Sequence, residues 1–473
     1  MRVIFKLNRI RALAAFGVLA STLAHAPLAQ ADNVTDAMIG AYTSSGLLEQ
    51  NRALLRVADE GVALSMSSLR PVINTALSIA RSYDRTGLGR LGANSSHSTS
   101  ASLRLSLEWL LFDNGASKLS TMAAQEAVLA TRQTLLDVEQ QVLFSAVDAY
   151  VSVLTQQDNV ALRQNNLRLL QEEMRAANDR FEVGEVTRTD VALAESRVAE
   201  ARANLTDAQG ALLTARATYE EVVGRAPGAI TAYPPLPRRA SSLDAAQARA
   251  LNSHPSLRAQ QHAVRSAQLT ADSSLRDMGP SISFSASTTH REIHSSETET
   301  DSFDLGLELS QTLYAGGALA ASRRRDLANV DAERGRLLST QRSITSNAAS
   351  AYTAFDTAAA SLVSSNERVR AAQVAFDGIR EEATLGARTT LDVLQAEQEL
   401  LDAQTARLNA RALQALAAYD LLQAQGLLTV DNLNLAVERY DPEIYYNQVR
   451  AAPAFVTKRG QDLDRVLKAL RKN

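Results

Sequence analysis

The chain has no cysteine among its 473 residues. That excludes a disulfide framework, a thiolate metal site and a lipid carried on an N-terminal cysteine. Proline is scarce at ten, and tryptophan occurs once. With so few prolines, a hydrophobic content of 45% dominated by alanine predicts long, closely packed helices rather than a compact mixed core. Past the first 31 residues there is no run of about eighteen apolar residues, so no segment reads as a membrane-spanning helix. Any entry into a membrane is left to strands.

The first residues read as an export signal. "MRVIFKLNRIR" is a basic leader, Ala12 to Ala24 is a short apolar stretch, and "AQA" ending at Ala31 is a small-x-small cleavage site, so the mature chain is expected from near Asp32. Removing Arg2, Lys6, Arg9 and Arg11 takes the formal charge from −3 to −7. That balance gives no support for a nucleic-acid partner.

What the sequence does contain is itself, twice. "FEVGEVTRTDVALAE", Phe181 to Glu195, returns as "ATLGARTTLDVLQAE", Ala383 to Glu397. The same offset pairs "LFDNG" from Leu111 with "LYAGG" from Leu313, and Gly224 with Gly426. Pro71 and Pro280 fall out of step because the first copy has seven extra residues before its "LFDNG". A single length change between two large copies points to an internal pseudo-two-fold rather than a solenoid.

Within a copy, Gly115 to Glu182 has no proline and no internal glycine, and Leu129, Leu136, Leu143 and Tyr150 recur every seven residues, a coiled-coil-like seam. At about 1.5 Å per residue this is a rod of roughly 100 Å. A second rod follows each of the turns "VGEV" and "LGAR". Before each long rod the period changes to two. Leu103, Leu105, Leu107, Trp109 and Leu111 alternate with polar neighbours in one copy, and Phe303, Leu305, Leu307 and Leu309 do so in the other. With "VINTALSIARSY" and "SISFSAST" they form two β-hairpins of about ten residues per strand, the length a tilted strand needs to cross a bilayer. A soluble, half-buried sheet has the same alternation. Against it stand the export signal and the aromatic residues Trp109, Phe112, Phe284, Phe303 and Tyr314, suited to an interfacial girdle. Four strands cannot close a barrel and lipid forbids an open edge, so copies must share one. Two chains give eight strands and a filled interior, three give twelve and a lumen.

The expected organisation is a signal over 1–31 and a first repeat over 32–223. That repeat comprises a helix over 32–70, a β-hairpin over 72–112 and a long helical hairpin over 115–223 with its tip near 184–187. A linker over 224–242 leads to a second repeat over 243–425, with a helix over 243–278, a β-hairpin over 281–314 and a helical hairpin over 317–425 whose tip is near 386–389. Residues 426–473 read as a belt around the rods and then a mobile end. The fold class is mainly α with a membrane β-barrel.

Taken together, the duplicated hairpins, the "LFDNG" and "LYAGG" junctions and the "VGEVTRTDV" and "LGARTTLDVLQAE" tips resemble the TolC family of outer-membrane channel-tunnels over nearly the whole mature chain. The resemblance implies a homotrimer, with a twelve-stranded barrel in outer-membrane lipid and a twelve-helix periplasmic tunnel. It implies an exit duct for type I protein secretion or drug efflux, served by a periplasmic adaptor and an inner-membrane pump, either an ABC exporter or a proton-driven one. Without a lipidated cysteine, the chain is more similar to the unlipidated, secretion-type branch.

The resemblance also implies a gate at the tips. Asp392 matches one acidic ring position, and Gln395 stands where a second aspartate is expected. Arg388, Thr189 and Asp190 match a linking set, with Asp190 the expected carboxylate for Arg388, while Ala383 replaces a linking tyrosine. Those departures imply a weaker gate with lower cation affinity. Thr187 with Asp190, and Thr389 with Asp392, also have the spacing of a capping box, which explains both aspartates without a channel.

"GLGRLG", Gly87 to Gly92, precedes a strand and so does not suit a dinucleotide. "HREIH", His290 to His294, has zinc-like spacing but is expected in the loop of the second hairpin. No nucleophile, phosphate loop or acid/base pair has a context for catalysis, so no enzyme, cofactor or metal is expected. A periplasmic adaptor would carry one hairpin in a β-rich chain, and a trimeric adhesin would place its strands at one terminus. Neither pattern fits two internal strand pairs.

Overall fold

The computed structural model describes residues 31–87, 93–294, 298–454 and 456–470. The export signal and most of "GLGRLG" lie outside the described residues. The chain begins with strand β1 (Ala31–Asp32), helices α1 (Val34–Ser44) and α2 (Gly46–Ser67), and strands β2 (Val72–Gly87) and β3 (Ala93–Phe112). Helices α3 (Ala116–Glu182) and α4 (Arg188–Val223), strand β4 (Ala229–Ile230) and helices α5 (Leu243–Ser253) and α6 (Pro255–Arg276) follow. Strands β5 (Ser281–Ile293) and β6 (Thr298–Ser310) precede helices α7 (Ala318–Thr384), α8 (Thr390–Ala424), α9 (Pro442–Val449) and α10 (Lys458–Leu470). The order helix pair, strand pair, 67-residue helix and shorter helix thus occurs twice.

The single helices expected over 32–70 and 243–278 are each two helices. Ser45 is extended at φ −66° and ψ 112° ahead of Gly46. At the second break, Pro255 bars the preceding residue from helical geometry, so His254 takes ψ 123° and caps α6 through Nδ1, which accepts from Ser256 N at 3.2 Å. Proline at the first helical position loses nothing, because that N–H has no intrahelical partner.

Strands β2, β3, β5 and β6 form one antiparallel sheet in the order β2-β3-β5-β6. The register puts Ile73 opposite Leu107, Leu77 opposite Leu103, Leu105 opposite Thr288 and Phe284 opposite Leu307. Because side chains alternate, one face collects these apolar residues along with Ile79, Trp109, Phe303 and Leu305. The other face is polar: Ser78 and Ser102 hydroxyls meet at 2.8 Å and Arg104 donates to Ser287 Oγ at 3.2 Å. At 16, 20, 13 and 13 residues the strands exceed the expected ten. The ladder continues past the apolar band, from Arg81 opposite Thr99 to Gly87 opposite Ala93, because backbone pairing does not require apolar side chains. "HREIH" is corrected too: His290 to Ile293 end strand β5 rather than lying in a loop, and His290 Nδ1 is 2.7 Å from Asp301 Oδ1 on β6.

The chain clusters into two compact units. The unit of residues 46–141, 239–353 and 420–473 contains the sheet. There Leu55 and Val62 of α2 pack on Val128 of α3 beside Tyr440 and Tyr446, and the buried Glu139 carboxylate accepts the Val430 N–H at 2.7 Å. At the start of the seam Val128 is buried and Leu129 is exposed. Within the expected C-terminal segment, residues 458–470 form the helix α10.

The other unit, residues 1–45, 142–238 and 354–419, contains both turns between long helices. Gly40 of α1 has no room for a side chain, as a Cβ would approach Val223 of α4 to 2.6 Å. Tyrosines fasten the linker: Tyr150 donates to the Ala232 carbonyl at 2.8 Å and Tyr419 to that of Pro235 at 3.1 Å. Asp32 is buried at their centre. Its carboxylate accepts from both Arg225 terminal nitrogens, at 2.7 and 3.1 Å, from Gly228 N at 2.7 Å and from Tyr219 Oη at 3.4 Å.

Burial opposes charge on Asp32, yet the bonds from Arg225 and Gly228 hold its carboxyl below the ordinary value of 3.8. A lowered carboxylate stabilises the fold above the unfolded value, and that contribution is lost as pH falls through the native one. Asp32→Asn should therefore lower stability at neutral pH by about 2 kcal/mol, less than a fully buried pair because Arg225 is half in water. In acid the two proteins should converge, as chemical denaturation across pH would show.

Candidate functional site at the hairpin tips

Each long hairpin turns through a glycine that a side chain would strain. Gly184 and Gly386 sit at φ 81° and 77°, in the left-handed region. Their turns match bond for bond. Gly184 N donates to Phe181 O at 3.0 Å and Glu185 N to Arg180 O at 2.9 Å; Gly386 N donates to Ala383 O at 3.1 Å and Ala387 N to Glu382 O at 2.9 Å. These are glycine-terminated helix ends that recapture free carbonyls.

The next helix starts equally alike in both copies. Thr187 N and Oγ1 donate to Asp190 Oδ2 at 2.9 and 2.7 Å, and Thr389 N and Oγ1 donate to Asp392 Oδ2 at 2.9 and 2.8 Å. The aspartate N–H groups return bonds to the threonine hydroxyls at 3.3 and 3.2 Å. Both aspartates thus close a capping box with the threonine three residues before them. Asp190 is held below the ordinary carboxylate range by the Thr187 hydroxyl and N–H, and Asp392 by the Thr389 N–H and hydroxyl.

The expected partner of Arg388 is not the one found within the chain. Arg388 Nε donates to Glu382 Oε2 at 2.8 Å, across its own turn. The physical reason is local: Glu382 lies in the last turn of α7, where the helix dipole disfavours a negative charge, and Arg388 comes round the turn to neutralise it. Thr189 and Gln395 are exposed, and Asp190 and Asp392 are partly so. Ala383 is 6% exposed and packs with Phe376, Val393 and Leu400, so its small side chain is used in the interior.

The sequence reading missed the acid that the tips bury. Glu397, on α8, is 3% exposed and accepts from Asn166 Nδ2 of α3 at 2.6 Å. Nearby Glu173 is buried and paired with Arg380 at 3.1 Å. Val393, Leu394, Leu400 and Leu401 flank Glu397 at three and four residues on either side, so helical periodicity alone places it on the inner face. Its duplicate, Glu195, is exposed.

Burial, then the charge of Glu173, push the Glu397 carboxyl up to about 8 against the opposing effects of Asn166 and Arg197. Its sign is opposite to that of Asp32. The native state holds the proton more tightly, so stability is highest below the unfolded value near 4.5 and is lost as pH rises through about 8. The slope from one such group is at most about 1.4 kcal/mol per pH unit. Glu397→Gln, which keeps an acceptor for Asn166, should flatten the decline of melting temperature across that window and raise stability at its upper end.

Comparison with known proteins bears on the family and the fold. Residues 41–225 and 247–427 match the family described as outer membrane efflux protein. The chain is similar to the outer membrane efflux protein BepC of Brucella suis, with 33% identity over 440 residues, covering 93% of this chain and 95% of that one. It is also similar to the alkaline protease secretion protein AprF of Pseudomonas aeruginosa, with 29% identity over 236 residues, about half of each chain. In fold it resembles the Campylobacter jejuni CmeC outer membrane channel, with a TM-score of 0.73 and 14% identity over 89% of both chains. The two matched segments divide where the chain repeats its order of strands and long helices, and the chain belongs to the outer membrane efflux protein family of TolC-type channel-tunnels.

Proposed function

We propose that three copies of this chain form the outer-membrane exit duct of a tripartite export system. Their sheets close a twelve-stranded barrel, and their long helices, four per chain, form a twelve-helix tunnel in the periplasm. The observation that carries this reading is the sheet: one continuous apolar face, one polar face, and two outer edges, β2 and β6, that no strand of the same chain covers among the described residues. Copies arranged edge to edge satisfy those edges and put the polar face on a lumen. Leu54, Val57 and Leu64 of α2 are 50 to 72% exposed in the single chain and offer contact to a neighbouring copy. The doubled order of elements supports an internal pseudo-two-fold.

An inner-membrane pump and an adaptor supply the cargo, protein or small molecule. The relatives' names give one of each kind, efflux for BepC and protease secretion for AprF. A cleft of mixed character, lined by Asp158, Arg407 and Arg411 along with Leu162, Leu362 and Leu408, is a surface the adaptor can grip. At the tips, three copies of Asp392 form an acidic ring with neutral Gln395 one turn further on, so a multivalent cation is held weakly. Arg388 exchanges its local partner Glu382 for Asp190 and Thr189 of the neighbouring hairpin when the entrance is shut.

The protein extracted in detergent should run as a heat-modifiable trimer; a stable monomer would sink the shared barrel. Leu105→Arg, on the apolar face, should cost about 2 to 4 kcal/mol per copy if it lies at the bilayer midplane. Ser106→Arg, on the polar face, should leave the trimer intact on the same gel.

For the gate, Arg388→Ser and Asp190→Ala should each raise single-channel conductance in planar bilayers, and together by less than the sum, since both remove one contact. Glu382→Gln, which frees Arg388 for its other partner, should lower conductance. Additive effects, or no change with Glu382→Gln, would rule out the exchange.

A further inference from the structure

The end of the chain is fastened to the helix-side end of the sheet. Arg70, two residues before β2, donates through Nη1 to the Ala452 carbonyl at 2.7 Å and through Nη2 to the Ala451 carbonyl. Beside it, Trp109 Nε1 of β3 donates to the Leu69 carbonyl at 3.1 Å. Trp109, Phe112 and Phe284 gather at this end of the apolar face, as aromatic residues do where a membrane meets water. Helix α10 begins six residues after Ala452. Its first turn is pinned by Arg459, which donates to the Asn447 carbonyl at 2.6 Å, and by Thr457, whose hydroxyl accepts from Gly460 N at 3.1 Å.

Helix α10 is two-faced. Leu463, Val466 and Leu467 recur at three- and four-residue spacing and form one apolar stripe. Lys458, Arg465 and Lys468 lie on the opposite side. Residues 458–473 contain six basic and two acidic side chains, a net of +4, in a mature chain that is otherwise acidic. The stripe is not fully covered by the chain: Val466 is 46% exposed, and Val456, just before the helix, 67%. A helix with an apolar stripe, a basic opposite face and a fixed position at a membrane boundary has the character of one that lies in the interface. Water would leave the stripe without use. Anionic phospholipid headgroups complement the basic face, and the boundary brings them within reach.

We propose that α10 lies on the periplasm-facing leaflet of the outer membrane, with its apolar stripe among the acyl chains and its basic residues on anionic headgroups. It would give a chain with no cysteine to carry a lipid a peripheral anchor of its own. This rests on reading the strands as a membrane barrel, and the test separates the two.

Because the sequence has no cysteine, Val466→Cys and Leu105→Cys each give a unique thiol for an environment-sensitive fluorophore on the full-length protein. The labelled proteins are placed in nanodiscs of phosphatidylethanolamine with or without phosphatidylglycerol, and trimer mobility on gels serves as the folding control. Brominated lipid should quench both labels in discs containing phosphatidylglycerol, and iodide should reach neither. Omitting phosphatidylglycerol, or introducing Lys458→Gln or Lys468→Gln, should release the label at 466 but not at 105, with the ratio of inserted to free helix falling about fivefold per cation removed. A label at 466 open to iodide in anionic discs, while that at 105 is quenched by lipid, overturns the anchor and leaves the barrel standing. Protection of 466 from both quenchers means that protein, such as a second copy, covers the stripe, and overturns the anchor as well. Equal lipid quenching with and without phosphatidylglycerol removes the headgroup half of the proposal. A label at 105 that brominated lipid does not quench overturns the barrel reading itself.

Discussion

A peptide group in hydrocarbon has no water to bond to, and leaving it unpaired is too costly for any membrane structure to tolerate. Much of this molecule follows from that constraint. Four strands satisfy one another across three interfaces and leave two edges that no strand of the same chain covers among the described residues. A helix hydrogen-bonds its own backbone, so the chain can leave the sheet in 67-residue helices that need neighbours only for their side chains. Strand edges thus ask for a partner backbone, whereas the helices ask only for side-chain contact.

The two similar stretches of sequence share their local parts but not their environments. The tips are built from the same bonds, with nearly the same lengths, because the glycine turn and the threonine–aspartate cap depend on a few adjacent residues. Further along the two helices diverge. Helix α4 buries one stripe, through Val191, Ala194, Val198 and Ala201, whereas α8 buries Val393, Leu394, Leu400 and Leu401 and touches α3 on one side and α7 on another. The same glutamate is therefore solvated in one copy and enclosed in the other. Equal sequence gives equal local geometry, while burial is decided by how many neighbours a helix has.

That distinction accounts for what could be read from the sequence and what could not. The sheet was legible because alternation survives in Leu103 to Leu111 and in Phe303 to Leu309, and the turns were legible because only glycine takes their backbone angles without strain. The capping role of Asp190 and Asp392 was present in their spacing. The partner of Arg388 was not, since Glu382 and Asp190 are both plausible carboxylates until the turn is folded. Nor was the bond set around Asp32, which draws on Arg225, Gly228 and Tyr219, some two hundred residues away. The strand lengths were underestimated because apolar alternation marks where lipid ends, not where hydrogen bonding ends.

The polar face of the sheet is rich in serine, and several of its hydroxyls are engaged: Ser78 with Ser102 at 2.8 Å, Ser82 with Ser98 at 2.6 Å, and Ser287 with Arg104. A wall whose donors and acceptors are already engaged is wettable yet offers a passing molecule little to hold. Arg104, Glu108, Asp304 and Glu308 stand on the same face and give it charges of both signs. Where hydroxyls bond to one another in this way, water can wet the face while few of those donors stay free for a solute to match.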